Sequence, residues 1–134
     1  MLVGDALRGQ QKNPPLFERA KLLADPSSAQ VLVSGTAAIL GQDTVGVGDV
    51  SLQTEVSIRN MLALITPDTT GTAAQFTFNG LRVYIKNMTD KDTVKSVCQR
   101  FFPGTPASYV QADVCRDNLL MEIEGEAAAQ TDAP

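Results

Sequence analysis

The chain contains no histidine and only two cysteines among its 134 residues. Without an imidazole, this sequence cannot form a Ser–His or Cys–His nucleophilic pair or a histidine-ligated metal site. Cys98 and Cys115 are too few for a zinc site of three or four thiolates, and they suit the free thiols of a reducing compartment. These absences exclude the commonest nucleophilic and zinc-dependent enzyme classes.

Long apolar runs are also missing. No segment approaches the roughly 20 apolar residues that are needed to span a bilayer. Residues 1–9 lack the charged-then-apolar order of a signal peptide. We therefore expect a cytoplasmic protein that has no membrane partner.

Positive charge is scarce and scattered. Eleven Lys and Arg residues stand against fifteen Asp and Glu residues, which gives a net charge of -4 and a pI near 4.7. Because binding to phosphates depends on clustered Lys and Arg, this balance argues against a nucleic-acid partner. The sequence also has neither a phosphate-cradling glycine loop nor a dinucleotide fingerprint, and we expect no cofactor.

The length and composition that are present predict one ordinary globular domain. The chain has a mass of 14.3 kDa, and 43% of its residues are hydrophobic. We assign the domain to residues 16–127, preceded by a flexible lead-in at 1–15 and followed by a flexible Ala-rich tail at 128–134.

Along this domain the signals follow the order β, β, α, β, α, β, β. Apolar runs and apolar–polar alternation predict strands at 16–23, 30–36, 81–86, 109–114 and 119–124. Three glycines mark the loop before the first helix: Gly41, Gly46 and Gly48.

Two helices are predicted between the strands. The first runs from an N-cap at Asp49 to about Ile65, and the second begins at a capping box formed by Thr89 and Asp92. The second helix carries its apolar residues at i, i+3, i+4 and i+7, namely at Val94, Val97, Cys98 and Phe101.

These elements predict an α+β two-layer sandwich with both helices on one face of the sheet. We expect the last two strands to pair across residues 116–118, whereas Asn79–Gly80 is compatible with either a hairpin or a loop that enters one strand. The other face of the sheet is either solvated or covered by a partner chain, and Val, Tyr and Leu side chains there favour oligomerisation.

Three acidic side chains offer the clearest candidate for chemistry. Glu122, Glu124 and Glu126 project from the same face of the last strand, about 6–7 Å apart. One interpretation is a solvated edge strand. The other is a carboxyl group in a cleft, whose pKa is raised by desolvation and which acts as a general acid or base.

Two further segments are weaker candidates. Ser34-Gly35-Thr36 ends a buried strand, and the absence of a Cβ at Gly35 lets a ligand approach the backbone; an ordinary strand-end turn has the same composition. Cys115 stands beside Arg116, whose charge could lower the pKa of the thiol, although cysteine is also a common small buried residue.

Taken in order, many of these segments resemble the pattern of the Rid/YjgF family, the reactive intermediate deaminases that are also described as endoribonuclease L-PSP-like. The matching segments are Val31–Thr36, Asp49, Gln53–Thr54, Asn60, Val83–Lys86, Phe101–Phe102, Pro106–Ala107 and Glu122–Ala127. The resemblance implies a chorismate-mutase-like fold with a mixed sheet, assembled as a homotrimer with ligand clefts between subunits. It also implies deamination of enamine or imine intermediates with bound water and no cofactor.

The resemblance assigns roles to individual residues. Phe17 falls where the family often has a cleft tyrosine, Gly35 falls at the ligand-facing strand end, and Glu122 matches the glutamate that positions the attacking water. Two positions depart from the pattern, because Thr36 replaces a glutamine and Ser108 replaces the arginine that clamps the substrate carboxylate.

A second branch is closer in detail, namely the Rid-like C-terminal half of chorismatases. The similar segments are Phe17–Ala20, Ser34–Ala37 and Tyr109–Arg116. In those longer enzymes a glutamate near the last strand protonates the chorismate side chain, and basic residues hold the carboxylates. Arg116 and Arg19 are the candidates for that second role in this chain.

Three hypotheses about function follow from the sequence. The first is a homotrimer that binds a small carboxylate metabolite and uses Glu122 as a general acid or base. The second is a catalytically inactive ligand-binding or regulatory trimer. The third is a standalone relative of the chorismatase C-terminal half.

Overall fold

The computed structural model of the protein describes residues 19–25, 28–114 and 116–129. Two of the site residues predicted from the sequence, Phe17 and Cys115, lie outside these described residues. In chain order the elements are β1 (Ala20–Ala24), β2 (Ala29–Thr36), β3 (Ile39–Leu40), β4 (Asp43–Thr44), α1 (Val50–Ala63), α2 (Pro67–Thr70), β5 (Phe76–Ile85), a 3-10 turn (Met88–Asp90), α3 (Lys91–Phe101), β6 (Ala107–Gln111) and β7 (Met121–Ala129).

Five strands form one mixed sheet in the order β1-β2-β7-β5-β6, and β3 and β4 pair separately as a small hairpin. β6 runs parallel to β5, whereas all other neighbours are antiparallel. A parallel neighbour needs a crossover connection, and α3 supplies it between β5 and β6. This mixed sheet with two main helices confirms the predicted α+β sandwich.

The core lies between the helices and one face of the sheet. In β7, Met121 and Ile123 are fully buried on the helix side, while the glutamates that alternate with the buried residues of this strand are half-buried on the other face. The helices contribute fully buried Ile58 and Met61 from α1 and Val94 from α3. Burial of these apolar side chains is the main force that holds the two layers together.

The predicted pairing of the last two strands is wrong. β5 lies between β6 and β7, and it pairs with both of them. The crossover through α3 places β6 outside β5, and this leaves the long strand β7 to fill the position between β5 and β2. β7 therefore lies at the centre of the sheet, where its side chains have neighbours on both sides.

Asn79–Gly80 forms neither a hairpin turn nor a loop. Both residues lie inside β5, and the pairing with β7 shifts register between Phe78 and Gly80. A Cβ atom at Gly80 would lie 2.6 Å from Oε1 of Glu126, so the glycine leaves room for that carboxylate within a bulged strand.

The start of α3 also differs from the prediction. The helix begins at Lys91, Asp90 occupies the N-cap position without a side-chain cap, and Thr89 lies in the 3-10 turn, so the predicted capping box does not form. The N-cap of α1 is confirmed, because the carboxylate of Asp49 accepts a hydrogen bond from the backbone N–H of Leu52 at 3.0 Å.

Three other boundaries are displaced. β6 ends at Gln111 and does not reach Val114. β7 continues to Ala129, two residues into the segment that the sequence assigns to the tail. The glycine-marked loop before α1 contains the β3–β4 hairpin.

Candidate functional site

A row of carboxyl groups crosses the face of the sheet opposite the described helices, which we call the open face. Glu122, Glu124 and Glu126 are half-buried there and alternate with buried residues of the core, as the sequence predicts. Because β7 is central, each of these side chains lies beside residues of β2 and β5.

Two side chains of β5 bind two of the three carboxylates. Nε of Arg82 donates to Oε1 of Glu124 at 3.0 Å, and Nη2 of Arg82 donates to Oε2 of Glu126 at 2.9 Å. The hydroxyl of Tyr84 donates to Oε1 of Glu124 at 2.5 Å. Glu124 thus accepts two charge-assisted or short hydrogen bonds, which favour its ionised form.

Glu122 has a different environment. Tyr84 is its direct neighbour across the ladder, but the tyrosine hydroxyl reaches past it to Glu124. Within the described part of the chain, no side chain donates a hydrogen bond to the Glu122 carboxyl. Burial, and then the charge of Glu124, raise the pKa of Glu122. The pKa of Glu124 is lowered, mainly by the bond from Tyr84 and further by Arg82.

The structure brings Gly35 against Glu122. A Cβ atom at Gly35 would lie 2.8 Å from both Cδ and Oε1 of Glu122, closer than such atoms approach in proteins. β2 has an irregular register with β7 between Val33 and Thr36, which places this glycine at a bulge. The missing side chain therefore gives the carboxyl its space beside β2.

The two hydroxyls beside Gly35 bond to the backbone of β2 and of the residue directly before β1. Oγ1 of buried Thr36 donates to the carbonyl of Ser34 at 2.8 Å, and Oγ of Ser34 donates to the carbonyl of Arg19 at 2.9 Å. Both bonds fix the bulge in which Gly35 lies.

The remaining candidates are dispersed. Ser108 is exposed and is paired with Arg82 on the ladder, so it lies in the same row as Glu124 on the open face. Nη1 of Arg116 donates to the carbonyl of Gln42 at 2.8 Å, at the turn between β3 and β4, and no contact joins it to Glu122.

Sequence reasoning did not assign a role to Arg82 and Tyr84. Their alternation with the buried Leu81, Val83 and Ile85 places both on the open face, and this signal was available. Their contact with Glu124 cannot be predicted from local patterns, because it depends on β5 being the neighbour of β7.

Polar residues of α1 hold the chain segments on either side of the site. Nε2 of buried Gln53 donates to the carbonyl of Asn118 at 2.9 Å, and its Oε1 accepts from the backbone N–H of Leu120 at 2.8 Å, directly before β7. Nδ2 of Asn60 donates to the carbonyls of Ala37 and Ile39 at 3.0 and 3.1 Å, directly after β2.

A cavity of about 290 Å³ lies on the helix side of β6, away from the carboxyl row. Buried Cys98 contributes to its wall, and desolvation raises the pKa of this thiol to about 11. The interpretation of Cys98 as a core residue is confirmed, since it belongs to the buried apolar cluster.

Over the described ranges, no group of three or more Cys, Asp or Glu side chains is arranged to hold a metal ion. None of the helices within those ranges combines the length and apolar character that crossing a bilayer requires.

Comparison with known proteins gives relatives in both sequence and structure, although no protein-family model matches the chain. It is 37% identical over 122 residues to a chorismatase of Streptomyces hygroscopicus, a match that covers 86% of this chain and 36% of the enzyme. A crystal structure of chorismatase superimposes with a TM-score of 0.77 at 35% identity, over 86% of this chain and 37% of the other. The chain thus spans little more than a third of these relatives.

The fold also extends over nearly the whole of a smaller protein. YyfA from Yersinia pestis, a protein of the Rid family, matches with a TM-score of 0.66 at 20% identity, over 86% of this chain and 89% of its own. A likeness at this identity concerns the fold alone.

Proposed function

We propose that this chain, which is a Rid/YjgF-like protein, binds a small carboxylate metabolite at the open face and uses Glu122 as a general acid or base. The observation that carries the proposal is the contrast between two glutamates of one strand. Glu124 is held as a carboxylate by Arg82 and Tyr84, whereas Glu122 has no such donor among the residues that the structure describes and has a raised pKa. Pairs of carboxyl groups whose pKa values are separated in this way serve as acid and stabiliser in enzymes.

The chemistry available to Glu122 follows from its protonation state. In its neutral form it donates a proton to a developing charge on the substrate. In its ionised form it accepts a proton from a water molecule that attacks the substrate. Both steps belong to hydrolysis or deamination and need no cofactor, and a well-placed group of this kind contributes about 10²–10⁴-fold in rate.

The relatives suggest the substrate class. Chorismatases are named for chorismate, and this carboxylate is the first ligand to test. Arg82 is already engaged by two glutamates, and Ser108 has no charge to offer a ligand. We propose that the groups that hold the ligand carboxylate, Arg116 among them, come together in clefts between the subunits of a homotrimer.

Ligand binding and turnover test this proposal together. A thermal-shift panel of chorismate, aromatic acids and 2-oxo acids identifies the ligand, because a ligand at about 100 times its dissociation constant stabilises by roughly 2.7 kcal/mol. Glu122→Gln is expected to keep binding and to lose about 10²–10⁴-fold in turnover. Glu55→Gln is the matched control, since Glu55 is paired with Arg59 on α1 and remote from the open face. Equal turnover by Glu122→Gln and the wild type would refute the catalytic role.

A second candidate function is ligand binding without catalysis. The exposed serine at position 108 favours it, because this is the position where the resemblance places the clamping arginine of the deaminases. In that case the panel gives saturable binding with no product, and Glu122→Gln changes affinity alone.

A further inference from the structure

Three carboxyl groups at the spacing of one pleat, about 6–7 Å, repel one another unless some are paired or protonated. The charged and titratable groups that face Glu122 come from β7 and β5, while β2 presents Gly35 and the hydroxyl of Ser34. These facing groups are Glu124 of β7, Arg82 and Tyr84 of β5, and Lys86, which directly follows β5 and donates its backbone N–H to the carbonyl of Leu120. The ammonium of Lys86 is engaged elsewhere, because it donates to the carbonyl of Asp117 at 2.6 Å.

Two donors of β5, Arg82 and Tyr84, reach in the same direction along β7. Tyr84 is paired with Glu122 on the ladder but donates to Glu124. Arg82 is paired with Glu124 and reaches on to Glu126. Arg82 and Tyr84 therefore both donate to the other two carboxylates, and no side chain among the described residues donates to Glu122.

We propose that Arg82 and Tyr84 are positioning residues for Glu122: by binding the Glu124 carboxylate, which Arg82 shares with Glu126, they direct the exchangeable proton to Glu122 and away from Glu124. The inference rests on the proposed function, which makes Glu122 the acid or base. It adds the two residues of a neighbouring strand that select this glutamate over Glu124.

The electrostatics agree with this geometry. The bond to Glu124 raises the pKa of Tyr84, so the tyrosine remains a donor, and bonds to both carboxylates raise the pKa of Arg82. The fixed negative charge of Glu124, one pleat away, then helps burial to raise the pKa of Glu122.

A carboxyl ¹³C NMR titration of the full chain without ligand tests the proposal. In the wild type we expect Glu124 to ionise at lower pH than Glu122. Tyr84→Phe removes the bond that lowers the pKa of Glu124 most, and Arg82→Gln removes the next contribution. Each variant is therefore expected to raise that pKa, by up to about 1–3 units, so that the two carboxyls titrate together. Arg82→Lys retains the positive charge but loses the two-sided hydrogen bonding of the guanidinium. It is expected to keep part of the difference between the pKa values of Glu122 and Glu124.

Arg59→Gln is the control for the loss of an arginine, because Arg59 pairs with Glu55 on α1. This variant is expected to leave the titrations of Glu122 and Glu124 unchanged. The proposal is overturned if Glu124 ionises above Glu122 in the wild type, or if Tyr84→Phe and Arg82→Gln leave the order and spacing unchanged. Should Arg82→Gln not fold, Tyr84→Phe decides alone, since it removes a single hydroxyl. The two outcomes are separable. If the titrations of Glu122 and Glu124 follow the expected order and respond to the variants, but Glu122→Gln retains full turnover, the proposed function is refuted and the positioning effect stands.

Discussion

The affinity of a carboxyl group for its proton depends on its surroundings, and β7 places two glutamates two residues apart in opposite surroundings. Glu124 receives hydrogen bonds from Tyr84 and Arg82, and its pKa is lowered. Glu122 receives none from a side chain among the described residues, and its pKa is raised by burial and by the charge of Glu124. The sequence places both on one face but contains no local signal that distinguishes them.

Opposite pKa shifts predict opposite effects on stability. The folded chain holds the Glu122 proton more tightly than the unfolded chain, so stability is lost as pH rises from the unfolded pKa through the raised folded value. Glu122→Gln cannot ionise, and its Tm is expected to exceed that of the wild type at neutral pH, with the difference fading in acid. Calorimetry across this pH range measures the difference.

Glu124→Gln is expected to change stability in the direction opposite to Glu122→Gln. The lowered pKa of Glu124 gives stability that is present above its unfolded pKa and is lost as pH falls through the folded value. Its glutamine variant is therefore expected to melt below the wild type at neutral pH and to approach it in acid. Shifts of the same sign in both variants would contradict the assignment of the two environments.

A single methyl group at Gly35 tests the space beside Glu122. Gly35→Ala is expected to fold, because the clashing atoms belong to the end of a flexible side chain. The displaced carboxyl should become more exposed, and its pKa should fall toward the ordinary value of a glutamate. The carboxyl titration measures this change; an unaltered Glu122 resonance and pKa in a folded variant would contradict the contact.

At the scale of elements, the site depends on how strands that are distant in sequence are paired. Alternation within each strand predicts that Arg82, Tyr84 and the glutamates lie on the open face, and it does so correctly. Alternation cannot predict that β5 separates β6 from β7, because that order depends on the crossover through α3. Local sequence patterns therefore cannot predict the contacts of Arg82 or the approach of Gly35 to Glu122.

The connection between α1 and the start of β7 gives a prediction about stability. Gln53→Ala removes bonds to the backbone at Asn118, Leu120 and Gly46 and leaves these polar groups without their partner. We expect a loss of at least about 2 kcal/mol in the free energy of unfolding, measured by urea denaturation. Gln99→Ala, at an exposed position of α3, is the matched control and is expected to stay within about 0.5 kcal/mol of the wild type.

At the scale of the whole molecule, the open face is only partly polar. Leu32 and Val110 remain 40% and 43% exposed there, at either side of the carboxyl row. Apolar side chains beside partly buried charges favour contact with another chain. The proposed homotrimer would cover them and would enclose the row in a cleft.

Sedimentation equilibrium measures this assembly directly. We expect a mass three times the 14.3 kDa of one chain. Leu32→Lys places a charge on the open face and is expected to shift the protein toward the monomer, while the same change at exposed Leu40, in the β3–β4 hairpin, leaves the mass unchanged. A monomer at every concentration would contradict the proposed inter-subunit cleft.

We propose that the open face around Glu122 is the ligand site of this chain. Chemical-shift mapping of the ¹⁵N-labelled protein during a titration with chorismate tests it most directly. We expect saturable shifts that centre on Gly35, Tyr84 and Glu122 and that leave the exposed side of α3 unchanged. Saturable shifts confined to the helix layer, or none at any concentration of chorismate or of the other carboxylates in the panel, would contradict it.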